Sequence, residues 1–478
     1  MKILKSNILV TILISIIGIF YLVNIKEGHN WGDDFSIYIH HAKNIVKGIQ
    51  YSNTGYIVNP FNSAIPGTYP PVFPFLLAPL YALFGLSFVA MKTEVIILFI
   101  LALFTIYLTF RNTLPFQSLL LLIATISFNY YFLNFSANIL SDLPFMFFLY
   151  LALFIIEKSY HFEKLKIWQN ILYGFLIYLA YGTRSVGILI LFSLVVLDII
   201  KFKKITKSST QIMIFFITLA LLQHVFLYRD YSVIDKNLLS PKLISSNIVN
   251  YATSFFFFWY NGYSKVLHIF VFCLFSILSI IGFVVRIKER LTILEIFFVL
   301  YIISLIILPG YDPIRYILPI VPLYLFFAFW LTSRINYSKY GISANFIFFV
   351  LLFFILCSYV GGVFIKMDYG PIGERVTKKE AAELFNYIKI NTGQKDVFIF
   401  SKARALALFT DRSASVYHLT SKDKDLWDYF RHINATYVIA SRLFPSDRDF
   451  LFPFMERYQD KFQNVFANAD FVLYTIKY

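Results

Sequence analysis

Apolar runs of membrane-spanning length recur along most of this chain. About 20 apolar residues are needed to cross a bilayer as a helix. Runs of that order fall near 7–25, 89–110, 116–133, 139–157, 171–183, 186–200, 211–228, 266–285, 292–309, 316–333 and 342–364. The same length rule gives about eleven crossings. Composition agrees: 59% of the residues are hydrophobic and 14% charged, against about half and a quarter in a soluble domain. The fold class expected is therefore a polytopic α-helical membrane protein.

The net charge of +15 first suggests nucleic acid. Its distribution points elsewhere. Lys158 and Lys166, Lys201, Lys203, Lys204 and Lys207, Arg286, Lys288 and Arg290, and Arg334 sit in short loops between the runs that all fall on one side of the membrane. Cationic loops stay in the cytoplasm, so these lysines and arginines set orientation and no nucleic-acid partner is expected. Cys273 and Cys357 lie inside apolar runs and read as core- or lipid-facing thiols.

From about residue 366 the charge rises and no span-length run remains. EAAELFNYIKI and DLWDYFRHI have helical periodicity, and VFIFS and TYVIAS read as strands. An odd number of crossings puts this part outside the cytoplasm. The expected division is a transmembrane domain over 1–365, including a first outer loop over 26–88, and a small extracytoplasmic α/β domain over 366–478. In the loop, PPVFPFLLAPLYALFG is apolar but rich in proline, which suits a helix lying along the membrane surface.

The ionisable residues then gather at the outer ends of the spans. Asp33 and Asp34 follow the first span and Lys92 and Glu94 open the next. Asp142 stands in LSDLPF, Arg184 at an outer turn, and Asp312 and Arg315 in GYDPIRYILPIVP. Charges at membrane depth are costly, so each is a functional candidate. Plainer roles compete. Lys92 could snorkel, Asp142 could cap its helix, and Arg184 and Arg315 could be structural partners of Asp142 and Asp312. His40 and His41 lack the spacing of metal ligands. No metal ligand set is assigned: a divalent metal is possible but not indicated, and no other cofactor is certain. The chemistry the groups suit is transfer from a lipid phosphate, with a carboxylate as base and cations on the phosphate.

At these residues the sequence resembles the C-type membrane glycosyltransferases, the group of the protein O-mannosyltransferases and lipid A aminoarabinose transferases. DFSIYIHHAKNIVKG is similar to their first-loop motif, with Asp34, Tyr38, Ala42-Lys43 and Gly48 in the family's positions. TYPPVFPFLLAPLYALFG resembles the family's surface helix, LSDLPF its second acidic element, GTRSVG its Thr-Arg-Pro-x-Gly turn with Ser185 for proline, and RYILPIVP its Arg/Pro-Tyr-x-Leu-Pro element. The resemblance covers roughly residues 1–335. It implies inverting transfer of a sugar from a polyprenyl-phosphate donor to a glycan, lipid or protein outside the cytoplasm, by an enzyme of the plasma (inner) membrane. Asp34 would be the general base, with Asp33 its neighbour or its replacement in a shifted alignment. Asp142 would orient substrate. Tyr38, Lys43, Lys92, Arg184, Arg315 and Tyr316 would contact it. The rivals are a lipid-linked sugar transporter or flippase, and a surface-polysaccharide ligase or polymerase with its arginines in a late outer loop near 229–265, where Arg229 lies. Charges at helix ends rather than the bilayer midplane disfavour the transporter.

Overall fold

The computed structural model describes residues 2–62, 66–159, 165–227, 240–260, 264–308, 310, 312–335, 344–360, 372–420 and 422–478. The chain separates into two units. One comprises Met1–Ile25, Lys92–Leu222 and Lys236–Tyr369; the other comprises Lys26–Met91, Gln223–Asp235 and Gly370–Tyr478.

The first unit is helical and mostly apolar, as a multi-pass membrane protein requires. Among the described residues, five helices are long and apolar enough to cross a bilayer alone: Phe88–Phe110, Ser185–Phe202, Lys207–Val225, Lys265–Glu289 and Pro313–Arg334. A sixth forms if Phe116–Ser127 and Tyr130–Ser136, bent by 54°, count as one span. The bend falls at Asn129, whose side chain accepts from the Tyr131 backbone N–H at 2.9 Å and caps the second segment. Shorter apolar helices lie at Asn7–Val23, Ile293–Ile307 and Phe346–Tyr359. The expected outer loop near 229–265 holds an 18-residue helix, Pro241–Phe258, with Ser240 as its N-cap and proline at its start. Arg229 lies outside the described residues.

The second unit is built on a six-stranded sheet. Its elements are α1 (Asp34–Lys47), β1 (Tyr56–Ile57), α2 (Val72–Phe84), α3 (Lys379–Asn391), β2 (Val397–Ile399), α4 (Ala403–Thr410), β3 (Ser413–Ser415), α5 (Asp423–His432), β4 (Tyr437–Ser441), α6 (Phe452–Arg457), β5 (Phe462–Ala467) and β6 (Phe471–Ile476). The strand order is β1-β3-β2-β4-β6-β5. The first four strands run parallel, and β6 and β5 are added antiparallel. Leu426, Trp427, Phe430, Val438, Leu451 and Phe454 are buried together on one side.

The first loop belongs to this unit rather than to the helical one, which differs from the division expected at 365/366. That boundary itself falls in 361–371, outside the described residues. The physical reason is β-sheet completion. Tyr56 and Ile57 pair with Ala414 and Ser415, so two loop residues satisfy the backbone of β3 at the sheet edge. Asn59 Nδ2 adds a bond to the Val416 carbonyl at 2.9 Å. Helix α1 then packs on α2, with Tyr38 and Phe73 rings 5.0 Å apart. Gly48 ends α1 in the left-handed region at φ 64°, where its N–H reaches the carbonyls of Asn44 and Ile45.

Candidate active site

Asp34 is the first residue of α1, and Asp33 precedes it. A helix start favours a carboxylate there. Tyr69 donates its hydroxyl to Asp34 Oδ1 at 2.6 Å. The Arg404 guanidinium donates from Nη1 to the same oxygen at 3.1 Å. Its Nε lies 3.8 Å from Asp33 Oδ2. Its Nη2 donates to the Pro66 carbonyl. The cation also lies over two rings, 5.1 Å from the centre of Tyr56 and 5.5 Å from that of Tyr69. Arg404 is 1% exposed, whereas the Asp34 side chain keeps 23% of its surface. The support is buried and the carboxylate is reachable. Burial pushes the Asp33 carboxyl above its ordinary range; Arg404 and Lys402 pull it down and the Asp34 charge pushes it up again.

The histidines of the same helix are structural. His41 Nδ1 faces the Tyr51 carbonyl at 2.9 Å, and the Tyr69 backbone N–H donates to Nε2 at 3.3 Å. That pair of contacts needs a neutral ring with its proton on Nδ1. Burial lowers its pKa to about 3, and the ring stacks on Tyr51 at 4.0 Å. His40 is lowered to about 4, again by burial first and then by the Lys43 charge. Among the described residues no three His, Cys, Asp or Glu side chains gather as a metal would require.

Tyr38 stacks on Tyr69 at 4.7 Å and so supports the hydroxyl that holds Asp34. Lys43 is paired with Asp411. Both face protein neighbours and hold α1 against its surroundings.

The helical unit carries a second cluster. Asp142 opens the helix Asp142–Ser159 and is 1% exposed. It accepts from Arg184 Nη1 on one oxygen and from Arg315 Nε at 2.6 Å on the other. Arg184 lies over the Tyr316 ring at 5.3 Å. The Tyr316 carbonyl accepts from Tyr301 at 3.0 Å. Tyr150, on the Asp142 helix, reaches the Pro319 carbonyl at 3.0 Å and ties that helix to the segment after Arg315. Arg184 follows the helix Ile167–Thr183 and precedes a 3-10 turn, Ser185–Ile188. A Cβ on Gly187 would stand 2.5 Å from the backbone of Ala180 and Tyr181, so the turn closes there only on glycine. One carboxylate stands between two guanidinium groups. Lys92 is completely buried near the start of Phe88–Phe110. The structure thus brings together Asp33 with Asp34, and Asp142 with Arg184, Arg315 and Tyr316. Arg404 is the residue that sequence motifs missed: it is one arginine in an ordinary apolar helix, ARALALFT, 370 positions from Asp34.

Comparison with known proteins supplies the setting. Residues 68–229 match the dolichyl-phosphate-mannose-protein mannosyltransferase family. No curated protein sequence matches the chain. Among solved structures, ArnT from Cupriavidus metallidurans bound to undecaprenyl phosphate is similar, with a TM-score of 0.58 and 11% identity over 98% of this chain and 97% of that one. The archaeal oligosaccharyltransferase AglB from Archaeoglobus fulgidus, in complex with an inhibitory peptide and a dolichol-phosphate, gives 0.56 and 12% over 90% and 69%. The arabinofuranosyltransferase AftD from Mycobacteria gives 0.54 and 12% over 98% and 41%. At such identities the likeness is one of fold. The mannosyltransferase family match spans LSDLPF and GTRSVG with Lys92, Asp142 and Arg184, so the resemblance to the C-type membrane glycosyltransferases holds there, and the chain shares its fold with AglB and AftD; DFSIYIHHAKNIVKG lies before the matched residues.

Proposed function

We propose that this protein is an inverting glycosyltransferase that moves a sugar from a polyprenyl-phosphate carrier to an acceptor outside the cytoplasm. The observation that carries the reading is the Asp142–Arg184–Arg315 cluster. Asp142 and Arg184 lie in the segment matching the mannosyltransferase family, and the cluster sets two guanidinium groups on a carboxylate buried at a helix start. Both oxygens of Asp142 are engaged by guanidinium groups. Its role is to aim two guanidinium groups, which hold the phosphate of the donor and stabilise the charge it gains on leaving. Lys92 is assigned to the same phosphate.

Asp34 then removes the proton. The acceptor hydroxyl loses its proton to the Asp34 carboxylate as its oxygen attacks the anomeric carbon. A new carbon–oxygen bond forms, the bond to the phosphate oxygen breaks, and the lipid phosphate leaves with the electron pair. A single displacement inverts the anomeric centre. Tyr69 holds Oδ1 of the base at 2.6 Å, and Tyr38 backs Tyr69. The bound undecaprenyl phosphate and dolichol-phosphate of ArnT and AglB support a carrier of this class. The about eleven crossings expected from span length would place the second unit away from the cytoplasm.

The test is to incubate the purified protein in detergent with a panel of undecaprenyl- and dolichyl-phosphate sugars, and to follow each by chromatography. Consumption of one donor with release of the lipid phosphate is expected. A protein that moves these lipids between leaflets of a vesicle without cleaving any of them would contradict the proposal.

A further inference from the structure

Two carboxylates at adjacent positions share one guanidinium. The charged and titratable groups facing them include Arg404 and Lys402 from one side and Tyr56 and Tyr69 from the first loop. Like charges this close resist ionising together. The geometry shows how the cation is divided. Asp34 Oδ1 receives Nη1 at 3.1 Å and the Tyr69 hydroxyl at 2.6 Å. Asp33 meets Nε at 3.8 Å, and its buried oxygens complete no hydrogen bond of ordinary length and angle. The Ala405 backbone N–H lies near it and relieves its burial only in part.

Arg404 is itself fixed. Nη2 is committed to the Pro66 carbonyl, two rings flank the plane, and the residue lies in the first turn of its helix beside β3. A planar fork locked this way delivers charge to one oxygen, which a lysine's point charge would not do.

We propose that Arg404, supplied by the C-terminal part of the chain, is a positioning residue for the general base: it holds Asp34 ionised and oriented and leaves the proton of the pair on Asp33. The proposal rests on Asp34 being the base. It makes the α/β unit part of the catalytic apparatus, since that unit supplies both α4 with Arg404 and β3, the strand that anchors Tyr56. Burial of the Asp33 carboxyl acts in the same direction.

Dicyclohexylcarbodiimide reads the arrangement without donor or acceptor, because it modifies protonated carboxyl groups in apolar surroundings. The purified full chain is labelled between pH 5 and 9, and the adducts are located by peptide mass spectrometry. In the parent, label at pH 7 is expected on Asp33 rather than Asp34. In Arg404→Gln the labelling midpoint of Asp34 should rise by about 1–3 pH units, the usual effect of losing an adjacent opposite charge. If that variant fails to fold, Asp34→Asn decides. With the neighbouring charge gone, the Asp33 midpoint should fall below the parent's. Equal labelling of both aspartates in the parent, an unmoved Asp34 midpoint in folded Arg404→Gln, or an unmoved or raised Asp33 midpoint in Asp34→Asn overturns the proposal. The functional reading fails separately. If Asp34→Asn still transfers sugar, Asp34 is not the base, whatever the labelling shows. If Asp34→Asn is inactive and the midpoints do not move, only the role of Arg404 is lost.

Discussion

Arg404 Nη1 lies 3.1 Å from Asp34 Oδ1, although 370 residues separate them in sequence. The contact joins the candidate base at the start of α1 to a helix beyond the last apolar run. A carboxylate with this support has one orientation fixed before substrate arrives, which is what a base needs if positioning is not to be repeated in each turnover.

The second cluster predicts an asymmetric mutational pattern. Arg184→Ala and Arg315→Ala should each weaken binding of polyprenyl phosphate, measured by displacement of a labelled lipid. Asp142→Asn should do more, because it removes the buried charge that both guanidinium groups share. Removing one partner of a buried pair costs about 3–5 kcal/mol. Thermal unfolding in detergent should therefore show a lower Tm for Asp142→Asn than for either arginine variant. Equal Tm values in all three would argue that Asp142 does not organise the arginines.

Gly187 provides a steric test of the Arg184 turn. An added Cβ would meet backbone atoms of Ala180 and Tyr181 at 2.5 Å, and backbone cannot swing aside as a side chain can. Gly187→Ala should cost at least the roughly 1–3 kcal/mol typical of overpacking. It should also weaken lipid-phosphate binding by displacing Arg184. Unchanged Tm and binding would show that the turn adjusts freely.

His41 sets an acid-side dependence with a definite sign. Its folded pKa is lowered to about 3, while the unfolded chain has the ordinary value of about 6.5. Below about pH 6.5 the unfolded state takes up a proton that the folded ring refuses. Stability is therefore full above that value and falls as pH drops toward 3, by at most about 1.4 kcal/mol per pH unit. Tm should decline between pH 7.5 and 5 in the parent and less steeply in His41→Gln. Parallel declines would assign the acid sensitivity to other groups.

What the sequence made legible follows from the range of the interactions. Asp142, Arg184 and Arg315 could be suspected together because each stands at an outer span end, and charges there have few other partners. The resemblance to the family's first-loop motif, through Tyr38, Lys43 and Gly48, is what favours Asp34 over Asp33 as the base. Span counting was less secure where a local cap competes with apolarity: Asn129 breaks one expected run into two bent segments, and Ser240-Pro241 starts a helix inside an expected loop. The pairing of Tyr56 and Ile57 with Ala414 and Ser415 left no trace, because two residues of a loop carry no period. Arg404 was hidden for the same reason. A single arginine in a short apolar helix looks like any solvent-facing cation until the fold brings it to Asp34.

The central claim is that Asp34 is the base and Asp33 its neighbour. Once a donor is identified, equal amounts of folded parent, Asp34→Asn and Asp33→Asn are to be compared for single-turnover transfer, with lipid binding measured in parallel. A general base contributes typically 10²–10⁴-fold, and an amide cannot accept the proton. The account predicts that Asp34→Asn binds the lipid donor but loses transfer by about that factor, while Asp33→Asn keeps most of it. Near-parent transfer in Asp34→Asn with loss in Asp33→Asn would move the base by one residue, and full transfer in both would contradict the mechanism.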